Sequence, residues 1–309
     1  MRAIAEAPSK AIVTGEHFVV HGAWALAAAL PRRVRAEARD SARQVIISDG
    51  VIISDRQRVH HINRVIEAMA REYSFDPSLA ISITSEVPGG AGLGSSASTM
   101  VAVTSSVARL RGLSIGAADI SKFSMIGERE IHGRPSGIDS AVCSFGGVLL
   151  FKPGAPPRIV NFDGTRSLII AFSGRKRSTR RQIRRVSGVK EVLPSLFEGL
   201  TEAASEVSLI AAERLAARDL KGLGRLLTFN HAVLSTIGVS SPRLDRLVDL
   251  TLSLGAYGAK LTGAGGGGNI VAVAPGGKEK SIISGLRERG YEAFTAKIPT
   301  GGVRSWLEK

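Results

Sequence analysis

The chain has 309 residues, of which 44% are hydrophobic and 22% charged, a composition typical of a soluble folded protein that excludes an intrinsically disordered one. Lysine and arginine outnumber aspartate and glutamate by 41 to 27, so the net charge of +14 favours anionic ligands such as nucleotides, phosphorylated metabolites, nucleic acid or acidic lipid. The longest apolar run, 23–30, is far shorter than the roughly 20 residues of a membrane span. The first ten residues contain charged side chains and no uninterrupted apolar region, so we do not expect a secretory signal. The single cysteine, Cys143, excludes an internal disulfide and fits a reducing cytoplasm.

In chain order, the hydrophobic pattern predicts a β-rich opening, a mostly helical central block and a mixed end. Short apolar or alternating runs predict strands at 11–14, 18–20, 34–38, 45–48, 79–84, 147–151, 168–172, 258–261, 269–274 and 293–298. Helical spacing predicts helices at 59–73, 96–110, 117–131 and 278–289, and a largely helical region at 180–254. Because strands and helices segregate in blocks, an α+β fold is expected rather than a doubly wound sheet. The expected domains are residues 1–158 and 159–309.

The stretch PGGAGLGSSAS lies between a predicted strand and a predicted helix. Glycines allow the backbone to approach an anion closely, and the start of a helix offers free N–H groups. Serines at this point could cap the helix or reach Mg²⁺. No Gly-Lys-Ser/Thr ends the stretch, so it is not a Walker A loop, and a tight turn packed through its glycines stays open as the alternative. The residues of the stretch are Pro88, Gly89, Gly90, Ala91, Gly92, Leu93, Gly94, Ser95, Ser96, Ala97 and Ser98.

A second glycine run, KLTGAGGGG at 260–268, lies between two predicted strands. Taken alone, it fits a flexible hairpin loop as well as an anion site. The presence of two glycine runs in one basic chain favours the interpretation that both runs face a bound anion.

The opening segment PSKAIVTGEHFVVHG contains Glu16 and His17, which are either polar contacts to a substrate or part of a surface turn. His17 and His21 have a spacing that suits a metal on a helix. The intervening Phe-Val-Val favours a strand or turn, so a zinc site is not expected.

The segment GEREIHGRPSGIDSAV, at 127–142, carries two acidic candidates. Asp139, among small and apolar residues, is either a structural cap or a partly buried acid placed for proton handling. Glu128, near a predicted helix end, is either a Mg²⁺ ligand or an ordinary solvated glutamate.

The basic run RKRSTRRQIRR, at 175–185, contains no aromatic residue that could stack on a base. We therefore expect a solvated basic helix start that also attracts a small anionic ligand, and no nucleic-acid partner.

Together and in this order, these segments resemble those of the GHMP small-molecule kinases, and within them the mevalonate kinase family. The segments nearest to that family are KAIVTGEHFVVHG, GEREIHGRPSGIDSAV and, at 229–248, FNHAVLSTIGVSSPRLDRLV. The resemblance implies an N-terminal domain with a left-handed βαβ crossover, a ferredoxin-like C-terminal domain and ATP in the cleft between them. One departure is Ser9, which replaces the glycine of the usual Pro-Gly-Lys.

The resemblance also implies roles for individual residues. Asp139 would be the catalytic base for the substrate hydroxyl, with Lys10 beside it, and Ser96 and Glu128 would hold Mg²⁺. Residues 88–98 would wrap the ATP phosphates. The glycines that shape the site from the second domain would be Gly263, Gly265 and Gly266. The residues lining the mevalonate pocket would be Glu16, His17, Arg177 and Thr179.

The activity that follows is ATP-dependent phosphorylation of the primary (C5) hydroxyl of mevalonate, giving 5-phosphomevalonate and ADP in isoprenoid biosynthesis. Phosphomevalonate, the tertiary hydroxyl of mevalonate or a sugar stay open as alternative acceptors. We expect a cytoplasmic enzyme without a nucleic-acid or membrane partner, and the sequence leaves a homodimer open.

Overall fold

The computed structural model describes residues 1–53, 55–87, 92–161, 167–175 and 178–309, except for the side chain of Arg56. The strands are β1 (Arg2–Thr14), β2 (Ala25–Asp40), β3 (Val45–Ser48), β4 (Val51–Ile52), β5 (Leu79–Ser85), β6 (Val148–Phe151), β7 (Arg158–Val160), β8 (Ser167–Phe172), β9 (Gly258–Leu261), β10 (Asn269–Val273), β11 (Glu292–Lys297) and β12 (Arg304–Glu308). The helices are α1 (Arg56–Tyr73), α2 (Ser95–Leu110), α3 (Ala117–His132), α4 (Ile138–Phe145), α5 (Thr179–Val192), α6 (Pro194–Ala216), α7 (Leu220–Thr236), α8 (Pro242–Ser253) and α9 (Glu279–Glu288).

The first sheet has the strand order β12–β1–β2–β5–β3–β4, with β6 paired to β2 and β7 paired to β6. Its pairs are antiparallel except for β3 and β5, which are parallel and are joined through β4 and α1. That connection is a βαβ unit. Helix α2 packs on β1 and β2, so the start of this helix lies beside the middle of β1.

The second sheet is antiparallel with the order β11–β8–β10–β9. If β8, β9, β10 and β11 are numbered 1 to 4 in chain order, the order across the sheet is 4-1-3-2. Helices follow the first and the third of these strands, which is the expected ferredoxin-like arrangement. The largest buried apolar cluster contains Val34 of β2 together with Ile170 of β8 and Val271 of β10, so the two sheets share a core.

Two strands of the first sheet contain residues from beyond the expected domain boundary at residue 158. The first sheet includes β7, which residue 158 begins, and also β12 from the end of the chain. The unit built on the first sheet therefore extends past residue 158 and also includes β12.

The predicted strand at 18–20 is wrong, because Val19–His21 forms a 3₁₀ turn. The backbone φ angles at its two sides are 63° at His17 and 92° at Gly22, both in the left-handed region and incompatible with an extended strand. In the part of the chain that the structure describes, no helix combines the length and apolar character needed to cross a bilayer.

Candidate active site

A cavity of about 860 Å³ lies between the elements of the first sheet and those of the second. One wall comes from β1, the start of α2, the end of α3 and the start of α4. The other comes from α5 and the turn between β9 and β10. The residues that line the cavity include Lys10, Glu16, His17, Gly92, Gly94, Ser95, Ser96, Glu128, His132, Asp139, Thr179, Gly263 and Ala264.

Lys10 and Asp139 form an ion pair at the cavity wall, with Lys10 Nζ 3.0 Å from Asp139 Oδ1. The lysine side chain is only 2% exposed, whereas that of Asp139 is 32% exposed. Asp139 lies in the first turn of α4, where the helix dipole favours a negative charge. The geometry therefore presents a carboxylate to the cavity and holds it from behind with a buried cation.

Gly94 makes room for the lysine side chain. A Cβ at this position would lie 2.9 Å from Lys10 Cγ and 3.0 Å from Cε. The backbone N–H of Lys10 also donates a hydrogen bond of 2.9 Å to the carbonyl of Leu93. The glycine stretch thus fixes Lys10 as well as lining the cavity.

The start of α2 faces the cavity without a side-chain cap. Its N-cap is Gly94, with φ 79°, so of the two roles open to the serines, capping this helix is not the one that the structure shows. Uncapped N–H groups at a helix start bind anions well. Within the stretch, Gly92, Gly94, Ser95 and Ser96 line the cavity.

The rest of the stretch plays a different part. Leu93, Ala97 and Ser98 are buried, and the Ser98 hydroxyl lies 2.9 Å from the carbonyl oxygens of Pro8 and Gly94, which ties α2 to β1. The expected phosphate-loop residues Pro88, Gly89, Gly90 and Ala91 lie outside the described residues.

Glu128 is a buried carboxylate near Asp139. Burial, and to a lesser extent the charge of Asp139, raises the pKa of Glu128 to about 7, while a hydrogen bond from Ser96 and the charge of Lys10 act in the opposite direction. Glu128 Oε1 is buried without a hydrogen-bond partner among the described residues.

His132 is a site residue that the sequence did not single out. Its Nε2 lies 3.3 Å from Ser96 Oγ and 3.8 Å from Glu128 Oε2. The available signal was its position four residues after Glu128, which places both side chains on one helix face. No group of three or more histidine, cysteine, aspartate or glutamate side chains suited to a metal occurs among the described residues.

Glu16 and His17 reach the cavity from the turn after β1. Glu16 is ion-paired with Lys260 of β9. His17 Nε2 lies 2.9 Å from the carbonyl oxygen of Ala264, which is part of the second glycine run. Both residues therefore connect the first sheet to the second.

The second glycine run divides into a lining part and a packing part. Gly263 lines the cavity. A Cβ on Gly265 would lie 2.1 Å from the carbonyl oxygen of Val239, and one on Gly266 would lie 2.1 Å from Gln182 Nε2. Those two glycines permit close packing rather than facing the cavity directly.

Thr179, the first residue of α5, lines the cavity opposite the Lys10–Asp139 pair. Its expected companion Arg177 lies outside the described residues. The arrangement as a whole offers helix N–H groups and a buried cation for phosphates, and a carboxylate for a hydroxyl.

Comparisons with known families identify the fold. Residues 60–147 match the GHMP kinases N terminal domain, and residues 211–292 match the GHMP kinases C terminal domain. The chain belongs to the GHMP kinase family. Use of ATP as phosphoryl donor follows from membership of this kinase family.

Full-length relatives of this GHMP kinase include mevalonate kinases of Aeropyrum pernix and Pyrococcus abyssi. Each is 32% identical to the chain, over 97% of both chains. Among solved structures, the L. major mevalonate kinase in complex with R-mevalonate is 27% identical, covers 95% of both chains and superposes with a TM-score of 0.79. The Lactococcus lactis galactokinase complexed with galactose, at 17% identity and a TM-score of 0.81, shares the fold alone. The expected α+β GHMP kinase fold is confirmed.

Proposed function

We propose that this GHMP kinase transfers the γ-phosphoryl group of ATP to the primary (C5) hydroxyl of mevalonate, giving 5-phosphomevalonate and ADP. The observation that carries the proposal is the Lys10–Asp139 pair, 3.0 Å apart at the wall of a cavity that also receives the uncapped start of α2. The choice of mevalonate is supported by the mevalonate kinases that align with nearly the whole chain.

Phosphoryl transfer requires alignment and charge stabilisation more than covalent work by the protein. Asp139 accepts a hydrogen bond from the acceptor hydroxyl and takes its proton as the new O–P bond forms. The bond between the γ-phosphorus and its bridging oxygen breaks, and ADP leaves with the electron pair. Lys10 holds Asp139 in place and adds positive charge beside the reacting oxygen.

Nucleotide phosphates bind at the glycine stretch in this proposal. The N–H groups at the start of α2 point at them, and Gly92 and Gly94 permit the close approach of the backbone. Gly263 contributes from the second sheet, with Gly265 and Gly266 maintaining the shape of its loop.

Magnesium fits the residues beside this position. Glu128 Oε1 is buried and unpartnered among the described residues, and the Ser96 hydroxyl lies next to the same carboxylate. Carboxylate and hydroxyl oxygens suit Mg²⁺, which keeps its remaining positions for phosphate and water. Ser96 and Glu128 would hold the ion, which when bound offsets the charge of the phosphates.

The acceptor binds against Glu16, His17, Thr179 and Arg177 in this proposal. Three of these residues line the described cavity, from both of its walls. Closing both walls around one small acceptor excludes water, which would otherwise compete for the phosphoryl group.

A coupled assay of ADP release tests the proposal. The acceptors to compare are mevalonate, 5-phosphomevalonate and galactose, each with MgATP, with ³¹P NMR to locate the new phosphate ester. We expect turnover with mevalonate and a product phosphorylated at C5. Absence of turnover with mevalonate, or a product phosphorylated at the tertiary hydroxyl, would overturn the assignment.

A further inference from the structure

A buried ion pair joins the two sheets behind the cavity. Lys260, in β9, pairs through Nζ with Oε1 of Glu16, which follows β1. Their side chains are 0% and 1% exposed. The lysine Nζ also donates a hydrogen bond to the carbonyl of Leu261. Two charges are thus withdrawn from water at the junction between sheets.

Each charge depends on the other. Burial raises the pKa of Glu16 and lowers the pKa of Lys260, while the opposite charge of the partner and the hydrogen bond between them act in the other direction. Removing one member of such a pair leaves an uncompensated buried charge, which is far more costly than the pair itself. Stability alone does not require the pair, because an apolar replacement of both members is often neutral.

The two carboxylate oxygens of Glu16 differ in their hydrogen bonding. Oε1 binds Lys260, whereas Oε2 is buried with no hydrogen-bond partner among the described residues. Glu16 nevertheless lines the cavity. A buried carboxylate oxygen that accepts no hydrogen bond lowers the stability of the folded protein. A hydroxyl of a bound ligand could donate the missing hydrogen bond to this oxygen.

We propose that Lys260 is a positioning residue for the phosphoryl acceptor: from the second sheet it fixes the Glu16 carboxylate so that Oε2 accepts a hydrogen bond from a hydroxyl of the bound acceptor. Lys260 is fully buried and acts through Glu16 rather than by touching the acceptor. The inference rests on the proposed function, because that function supplies the hydroxyl-bearing acceptor.

The test compares Lys260→Met, Glu16→Gln and the double variant with the unmodified enzyme. KM for mevalonate, KM for ATP, kcat and the midpoint of thermal unfolding are measured for each. Ser208→Ala is the matched control. Ser208 of α6 accepts a buried hydrogen bond of 3.0 Å from Thr14 of β1, so this substitution removes a contact of β1 that does not involve Glu16.

Lys260→Met and Glu16→Gln are each expected to raise KM for mevalonate by roughly 10- to 100-fold, the range for a lost hydrogen bond to a charged group. KM for ATP should stay near the unmodified value. Ser208→Ala should leave both constants near those of the unmodified enzyme. The double variant should have the KM for mevalonate of Glu16→Gln, because Lys260 acts through that carboxylate.

An unchanged KM for mevalonate in Lys260→Met, with only a lower unfolding midpoint, would overturn the inference and leave a purely structural pair. If Lys260→Met does not fold, the uncharged double variant replaces it. A clearly higher KM for mevalonate in the double variant than in Glu16→Gln would then show that Lys260 acts by another route. Lack of mevalonate turnover by the unmodified enzyme would instead overturn the proposed function, and this inference with it.

Discussion

Asp139 combines partial exposure to the cavity with an ion pair to a buried lysine. Replacing it with asparagine keeps the volume but removes the charge and the proton acceptor. We expect Asp139→Asn to lower kcat by roughly 100- to 10,000-fold, the usual range for a lost general base. ATP affinity, measured by calorimetry, should change little because the phosphate-binding N–H groups remain.

The matched control for this variant is Asp40→Asn. Asp40 also pairs with a cation, Arg111, at 2.7 Å, but its side chain is 72% exposed and is not among the residues that line the cavity. Its loss should leave kcat unaltered. Equal kcat values for the Asp139 variant and the unmodified enzyme would remove Asp139 from the mechanism.

Gly94 allows a test of how Lys10 is held. Gly94→Ala places a Cβ 2.9 Å from Lys10 Cγ, so the lysine side chain must move. We expect a large loss of kcat, measured in the same ADP assay. Gly112→Ala is the control: Gly112 also has a positive φ, 65°, but its added Cβ would meet nothing within 4 Å.

Both alanine variants should lose roughly 1–2 kcal/mol of unfolding free energy from the left-handed backbone alone. Only the Gly94 variant should lose activity. Similar activities in the two variants would show that the position of Lys10 does not depend on this glycine.

Glu128 provides a test of the proposed cation position. Glu128→Gln should weaken Mn²⁺ binding, followed by electron paramagnetic resonance in the presence of ATP, and excess Mg²⁺ should partly restore turnover. Ser96→Ala should act in the same direction. Glu130→Gln is the control, because Glu130 lies on the same helix but pairs with His60 and Arg64. Equal Mn²⁺ binding by the Glu128 and Glu130 variants would contradict the assignment.

His231 connects α7 to both α8 and β9 through hydrogen bonds of its imidazole ring. Its Nδ1 accepts a hydrogen bond from the backbone N–H of Leu261, and its Nε2 lies 3.2 Å from Asp245 Oδ1. A ring that accepts at Nδ1 is neutral, with its proton on Nε2. Burial, aided by the charge of Lys260, lowers the pKa of His231, although Asp245 acts in the opposite direction.

This lowered pKa predicts how stability depends on pH. Below about pH 6.5 the unfolded chain binds a proton at His231 more readily than the folded protein does, so folding becomes less favourable as the pH falls. Above that pH, His231 no longer lowers the free energy of unfolding. Urea unfolding at several pH values should show a steeper acid-side decline in the unmodified protein than in His231→Gln. Parallel curves would contradict the prediction.

Long regular elements could be predicted from the sequence. The helix expected at 59–73 is α1 (Arg56–Tyr73), and that expected at 117–131 is α3 (Ala117–His132). Helix α4, which carries Asp139, was not predicted, because eight residues after a Pro-Ser-Gly turn give too little periodic signal. Strand β12 is similarly short, and its place is set by pairing with β1 rather than by its own pattern.

The motifs and the family resemblance indicated which residues carry chemistry, but not every contact between residues that are distant in the chain. The family resemblance already implied that Lys10 lies beside Asp139, and the structure places Lys10 Nζ 3.0 Å from Asp139 Oδ1. In the sequence, Lys260 is only the first residue of the second glycine run. In the structure it forms an ion pair with Glu16, which lies 244 residues earlier in the chain. Such a pairing has no local signal, because it depends on how the two sheets are placed together.

Strand β12 is expected to stabilise the whole first sheet. It covers the outer edge of β1 over five residue pairs, and Arg304 forms an ion pair with Glu6. Deleting residues 304–309 should lower the unfolding free energy and promote self-association through the uncovered strand edge. Urea unfolding and light scattering would measure the two effects.

Arg304→Ala separates strand pairing from the ion pair. Because the Arg304 side chain is 66% exposed, loss of this ion pair should cost less than about 1 kcal/mol and should leave the protein dispersed. Equal stability of the shortened and full-length proteins would show that β12 is dispensable for the sheet.

The pairing of β1 with β12 also bears on the order of events during synthesis. Strand β1 precedes every element of the second sheet in the chain, and it receives β12 as its neighbour only after those helices and strands have been made. Until then one edge of β1 has no partner from its own chain. The first sheet therefore cannot be completed before the second sheet has been synthesised, because the edge of β1 waits for a strand that follows the whole of that sheet.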